Sequence, residues 1–453
     1  MEKRLKFTLS TTHVILLSFL AVILAGSVLL VLPISSASGA SVPYLDALFT
    51  ATTAACVTGL VTLTTASAWS VFGQIVILIL IQAGGLGIIT ITSGLMLLMH
   101  KKIGWKDSHL IQDAFNLNTL SGLANFVKKV FLGTLFVEGI GALCYMTVFI
   151  PEFGLSGIWI SIFNSVSAFC NAGMDIISAN SLCAYACNPI INVVTELLIV
   201  FGGIGYIVWW DVLRVLKEWK QLKFKCFKKL TLHSKIAISA TLILIFGGAA
   251  FIFIFEYANP LTIGTYSLWD KIQASIFQSV TTRTAGFATI PQENLTNASS
   301  IVCLLLMFIG GSPVGTAGGV KTVTVVVLLV SAFATVRNKN EATLFNRNLS
   351  KQAIRKAIAV TCTSFLIMFI STVLLAAVTE ASALDILYET VSAAATVGLT
   401  RNLTSYLNEW GKLVIIATMY LGRVGPISLA IAFGTRKENP NIIKEPTEEI
   451  SVG

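Results

Sequence analysis

FTATTAACVTG, running from Phe49 to Gly59, stands between two long apolar stretches, and the chain uses that arrangement four times. The later copies are FNSVSAFCNAG from Phe163 to Gly173, FQSVTTRTAG from Phe277 to Gly286, and YETVSAAATVG from Tyr388 to Gly398. Three copies place an aromatic ten residues before the glycine, and the third copy is one residue shorter. Each reads as a short helix followed by a returning loop, flanked by helices of membrane length. The expected fold is an all-α membrane protein. Four parallel helix–pore-loop–helix repeats would surround one pseudo-fourfold pore, with eight transmembrane helices.

A mean hydropathy of +0.82 and a charged fraction of only 12% exclude a soluble domain of this length. Apolar runs of about 20 residues, enough for a hydrocarbon core of about 30 Å, recur throughout. The first, His13 to Leu32, follows Lys3, Arg4 and Lys6. It is too long for a signal-peptide core and lacks a small-residue cleavage site, so it reads as a retained helix.

The net charge of +9 does not point to nucleic acid, because its distribution follows the membrane. Basic residues cluster at Lys3–Lys6, His100–Lys106, Lys128 and Lys129, Arg214–Lys235, Arg337–Lys356 and Arg436–Lys444. The loop sides hold only Lys271, Arg283, Arg401 and Lys412. This is the positive-inside pattern. It predicts a multi-pass protein of the cell membrane with both termini in the cytoplasm and the four glycine loops near the outer face. The repeats are expected at 11–99, 128–215, 234–336 and 354–434, followed by a charged tail at 435–453. Each begins and ends on the basic side, so they are parallel rather than inverted. Cys56, Cys144, Cys170, Cys303 and Cys362 read as buried thiols. Cys183 and Cys187 share an outer loop, which leaves a disulfide open; without a third Cys or a His they do not suggest a metal site.

A cation entering an apolar pore loses its water, and inward-facing backbone carbonyls can replace it. Turning successive carbonyls inward uses left-handed backbone, which glycine adopts without steric cost. The candidate ion-binding segments are therefore Cys56-Val57-Thr58-Gly59, Cys170-Asn171-Ala172-Gly173, Arg283-Thr284-Ala285-Gly286 and Ala395-Thr396-Val397-Gly398. The first and last are the most filter-like. The middle two are degenerate, which predicts less strict selectivity than four identical strands would give.

The third inner helix is interrupted by a run from Phe308 to Thr322 that contains Pro313 and many glycines. Such a run does not continue an ordinary helix. Irregular backbone at membrane depth must line a watery cavity or be buried in protein. The candidate gate is Gly310, Gly311, Ser312, Gly315, Thr316, Ala317, Gly318 and Gly319, together with Arg423. Arg423 lies at matching depth on the fourth inner helix. An arginine there costs about 2.5–3.5 kcal/mol on insertion scales and needs partners. It is expected to face the pore and bind carbonyls of the 310–319 loop; an ion pair with Glu138 or Glu196 is the alternative. The clusters Gly84-Gly85-Leu86-Gly87 and Gly202-Gly203-Ile204-Gly205 are explained by close helix packing alone. The stretch from Gly315 to Thr322 nearly spells a phosphate loop but has Val320 where the second glycine belongs, and it sits in an apolar helix, so nucleotide binding is rejected.

The four single-glycine loops resemble those of the Trk/Ktr/HKT superfamily of potassium transporters, over about residues 10 to 434. The short chain is most similar to its Ktr-type membrane subunits. The resemblance implies K⁺ selectivity carried by the four glycines and an intramembrane gating loop at the interruption. It also implies a homodimer, a cytosolic nucleotide-binding regulatory ring and Na⁺ activation. K⁺, with Na⁺ as a second ion, is then the cargo, and no organic cofactor is expected in this chain. The basic connectors would meet anionic lipid or dock the soluble subunit. The alternatives are a Na⁺-permeable or poorly selective cation transporter and, from another class, a solute symporter with a midplane site. No paired His, nucleophile motif or ligand cluster marks an enzyme.

Overall fold

Ser, Thr or Asn precedes most of the apolar runs, and the fold uses these residues as helix caps. Ser70, Asn188, Thr231, Ser267, Thr296, Ser350, Ser382 and Asn408 each accept a bond from a backbone N–H in the first turn of the following helix. A cap satisfies one of the N–H groups that every helix start leaves open. The computed structural model describes residues 11–87, 90, 123–218, 226–339 and 341–425. The basic clusters at 3–6, 100–106 and 436–444, the residues Lys223 and Lys225, the expected tail and the far ends of the first and last expected repeats lie outside them.

The helices fall into four successive groups. The first holds α1 (Thr11–Val31), α2 (Tyr44–Cys56) and α3 (Val71–Leu86). The second holds α4 (Leu123–Phe153), α5 (Ser156–Cys170), α6 (Pro189–Gly203) and, after a break, α7 (Tyr206–Lys217). The third holds α8 (Leu232–Glu256), α9 (Leu268–Thr281), α10 (Asn297–Phe308) and, after a longer break, α11 (Thr322–Val336). The fourth holds α12 (Lys351–Val378), α13 (Ala383–Ala394) and α14 (Glu409–Val424).

Four segments among the described residues, His13–Val31, Asn125–Phe153, Leu232–Glu256 and Lys351–Val378, are long and apolar enough to cross a bilayer. The bent pair α6–α7 makes a fifth if it is one span, and α3, α10 and α11 are apolar but shorter. Large apolar side chains cover the outside of the long helices, among them Phe136, Leu143, Ile243, Phe246, Phe365 and Phe369. An apolar surface of this extent suits lipid rather than water.

The groups close into a circle. The short helix of each packs on the second apolar helix of the group before it: α5 on α3, α9 on α6, α13 on α10, and α2 on α14. A polar contact marks each junction. Trp159 Nε1 donates to Gln74 Oε1 at 2.8 Å, and Gln273 Nε2 to Asn188 O at 3.5 Å. The Tyr388 hydroxyl donates to Gln292 Oε1 at 2.9 Å, and Lys412 pairs with Asp46 at 2.5 Å. Phe49, Phe163, Phe277 and Tyr388, the aromatics that open the four copies, are all fully buried.

Two details differ from the sequence expectations, and one that the sequence left open is answered. A short antiparallel hairpin, Thr343–Leu344 with Arg347–Asn348, stands between α11 and α12, the one named strand pair among the described residues. Its tip residues Phe345 and Asn346 have φ of 48° and 59°, the paired left-handed geometry that matches strand twist. Cys362 is exposed on the apolar face of α12 and Cys144 is half-buried, because the outward faces of long membrane helices have no protein neighbour. Cys183 and Cys187 are both free thiols.

Candidate functional site

A short helix that ends at a ring must turn its last residues sharply, and all four do so in one way. The residue two before the glycine is left-handed: Val57 at φ 56°, Asn171 at 59°, Thr284 at 67° and Thr396 at 51°. The glycines follow at 101°, 63°, 86° and 97° for Gly59, Gly173, Gly286 and Gly398. A β-branched residue at positive φ is an outlier that only its surroundings can enforce. Three of the four positions are of that kind.

A hydroxyl anchors each turn. Thr53, Ser167, Thr281 and Ser392 each stand four residues after the buried aromatic. Thr53 Oγ1 accepts from Gly59 N at 2.9 Å, and Ser392 Oγ from Gly398 N at 3.0 Å. Ser167 Oγ accepts from Met174 N at 3.1 Å, one residue further on. Thr281 Oγ1 instead donates to Phe287 O at 2.6 Å. This register places the missing residue of the third copy between Thr281 and Gly286. The hydroxyl recurs in the sequence as regularly as the aromatic, four residues after it in every copy.

The four glycines meet. A Cβ added to Gly59 would lie 2.5 Å from Ala172 O, and one on Gly173 2.5 Å from Ala285 O. On Gly286 it would strike Val397 O, and on Gly398 it would strike Thr58 O. Each glycine thus faces the carbonyl before the next one, in the cyclic order 59, 173, 286, 398 and back to 59. Only residues without a Cβ can approach so closely. On one side, all four line a cavity of about 180 Å³ that also holds Asp175, Cys183 and Glu293. The hydroxyls of Thr58, Thr284 and Thr396 are buried beside the ring without a protein partner. The Arg283 side chain reaches behind its loop to Thr241 Oγ1 and Gly310 O, each at 3.5 Å, so this residue offers the ring only its backbone. Among the described residues, no group of three His, Cys, Asp or Glu could hold a metal ion.

Below the ring, α10 stops at Phe308 and α11 starts at Thr322. The intervening segment is a closed loop. Its neck is tied by Gly310 N to Val320 O at 3.0 Å and Val320 N to Phe308 O at 3.1 Å. The glycine cluster on α6 does more than pack. It breaks the helix, which restarts as α7 at an angle of 100°. The freed carbonyls of Gly203 and Gly202 accept from Ser312 N at 2.8 Å and Thr316 N at 3.1 Å, and Tyr206 N donates to Val314 O at 3.0 Å. Gly205 has φ 93°, and a Cβ there would strike Pro313 O. Gly87 and Gly425, which cap α3 and α14, share this positive-φ backbone at 83° and 91°. Packing alone is therefore the wrong account of the 202–205 cluster: backbone bonding to the loop requires the break.

Arg423 donates to Thr316 O in the loop at 2.6 Å and to the carbonyls of Gly84 and Gly85 on α3. Neither Glu138 nor Glu196 is its hydrogen-bond partner. Glu138 accepts from Gln82 at 3.2 Å and from the Cys170 thiol at 3.8 Å, behind the second strand of the ring. Lys321, passed over in the sequence, donates to Ala317 O at 2.5 Å and so ties the loop to the start of α11. Its place in the rejected phosphate-loop pattern hid it.

Residues 3–445 match the TrkH family, described as "Cation transport protein". The chain is 39% identical over 442 residues to the Ktr system potassium uptake protein B of Bacillus subtilis, covering 97% of this chain and 96% of the relative. It is 38% identical to the potassium/sodium uptake protein NtpJ of Enterococcus hirae, covering 100% and 99%. The crystal structure of the potassium transporter TrkH from Vibrio parahaemolyticus shares the fold, with a TM-score of 0.74 at 17% identity over 95% of this chain and 86% of that one. With a match of this extent over a helical membrane fold, the chain belongs to the TrkH family of cation transport proteins.

Proposed function

We propose that this protein takes up K⁺ across the cell membrane through a pore whose filter is the ring of Gly59, Gly173, Gly286 and Gly398. The observation that carries the reading is the cyclic meeting of four glycines from four separate loops, each against the carbonyl before the next. Four parallel repeats with eight spans would surround it, at the boundaries expected from the sequence. Ions would pass from the cavity that holds Asp175 and Glu293, through carbonyls, toward the basic side. The membrane potential supplies about 2.3 kcal/mol per charge per 100 mV.

The loop from Gly310 to Gly319 would be the gate. It lies on the path below the ring, and Arg423 pins it to α3. The guanidinium adds a fixed charge that a cation in a low-dielectric passage feels strongly. The names of the Ktr system relatives support a regulatory partner, which the basic segments holding Lys228 and Lys229 would dock. A homodimer and Na⁺ activation complete the proposal. The unequal strands, and the naming of one relative for both potassium and sodium, favour a second reading in which Na⁺ also permeates.

The test is ⁸⁶Rb⁺ uptake by the purified protein in liposomes, with K⁺ and Na⁺ as competitors and Na⁺ varied. Arg423→Ala should raise flux in the absence of a partner and leave ion preference as it is. Absence of K⁺-competed uptake would refute the filter reading, and unchanged basal flux in Arg423→Ala would refute the gate.

A further inference from the structure

Thr316 is bonded to three different elements at once. Its N–H donates to Gly202 O on α6 and its carbonyl accepts from Arg423 on α14. Its hydroxyl donates to Phe169 O at 3.1 Å, in the last turn of the short helix α5. That hydroxyl also lies 3.4 Å from the side-chain amide of Asn171, in the second strand of the ring. The Asn171 amide nitrogen faces the carbonyls of Ala168, Phe169 and Ile199 at 3.2–3.3 Å. The hydroxyl therefore joins the loop to the helix end from which the second strand departs.

The second strand needs this support more than the first or fourth. In those two, a hydroxyl on the short helix holds the glycine N–H itself. In the second, Ser167 holds Met174 N, beyond the glycine. The helix-end carbonyls of Ala55 and Ala394 are approached by Gly84 and Gly422, which carry no hydroxyl. Phe169 O is approached by Gly202 and also receives the Thr316 proton. The extra bond falls on one of the two strands whose short-helix hydroxyl does not hold the glycine N–H.

We propose that Thr316 is a positioning residue for ion specificity: from within the loop its hydroxyl sets the second strand of the ring. The inference rests on the filter reading above. The dependence runs through this one hydroxyl bond, so a change elsewhere in the loop that keeps the bond leaves ion preference as it is.

The experiment measures ⁸⁶Rb⁺ binding to the purified protein, with K⁺ and Na⁺ as competitors, in wild type, Thr316→Val, Thr316→Ala, Thr316→Ser and Arg423→Ala. Removing the hydroxyl in Thr316→Val should lower the preference for K⁺ over Na⁺ by about fivefold or more, the lower end of ordinary coupling between sites. Thr316→Ser should restore it. Arg423→Ala, which frees the loop carbonyl but spares the hydroxyl bond, should keep the wild-type preference. Thr316→Ala gives the same comparison if valine does not fold. Wild-type preference in the hydroxyl-free variants, or no rescue by serine, would overturn the proposal. A wild type that binds no Rb⁺ would instead overturn the filter reading beneath it.

Discussion

Replacing Gly59 by Ser tests the ring at its best-formed strand. Gly59 sits at φ 101°, a region that an L side chain enters at a cost of about 1–3 kcal/mol. The new Cβ would meet Ala172 O at 2.5 Å, Gly398 Cα at 3.2 Å and Gly173 Cα at 3.3 Å. None of these is the end of a flexible side chain, so backbone in two neighbouring strands must shift. Overpacking of this kind costs about 1–3 kcal/mol more. The strain falls on the carbonyls proposed to select the ion. If even about 1.4 kcal/mol of it appears as lost discrimination, the K⁺ to Na⁺ ratio falls about tenfold. The assay is competition of K⁺ and Na⁺ for ⁸⁶Rb⁺ uptake in liposomes, with a thermal unfolding curve to establish that the variant is folded. Gly139→Ala is the control, because it lies in helix α4 with nothing within 4 Å of the added Cβ. It should transport as wild type does and match it in stability or gain up to about 1 kcal/mol. A folded Gly59→Ser protein with the wild-type ratio would refute the reasoning.

Gly205→Ala should disturb the loop rather than the ring, since the added Cβ strikes Pro313 O; raised basal flux with unchanged ion preference is expected in the same liposomes. Glu138→Leu should cost about 1–3 kcal/mol by leaving the Gln82 amide without its acceptor, whereas Glu138→Gln keeps one, and thermal unfolding in detergent separates the two. Reversing the charge of Lys228 and Lys229 should weaken co-purification with the regulatory partner, and rising salt should weaken the wild-type complex too, as screening requires; undiminished co-purification would place the contact elsewhere.

Much of the site was legible because membranes restrict what a sequence can do. Apolar length, the alternation of basic segments with glycine loops and the four aromatic-to-glycine spacings are local properties. They pointed to helical groups, to the loops that meet, and to the break from Phe308 to Thr322. The hydroxyls at Thr53, Ser167, Thr281 and Ser392 were equally available, being a fixed four residues from the aromatics, and they align the short third copy. What the sequence could not decide was which partner each buried polar group would take, because that depends on elements hundreds of residues apart. Arg423 could have paired with a carboxylate; the tertiary fold instead brings it three carbonyls, two in the last turn of α3 and one in the 310–319 loop. Gly202 to Gly205 looked like a packing surface in isolation. Only the presence of the 310–319 loop beside α6 turns those carbonyls outward and bends the helix, because a loop buried that deeply must bond its own N–H groups to something other than water.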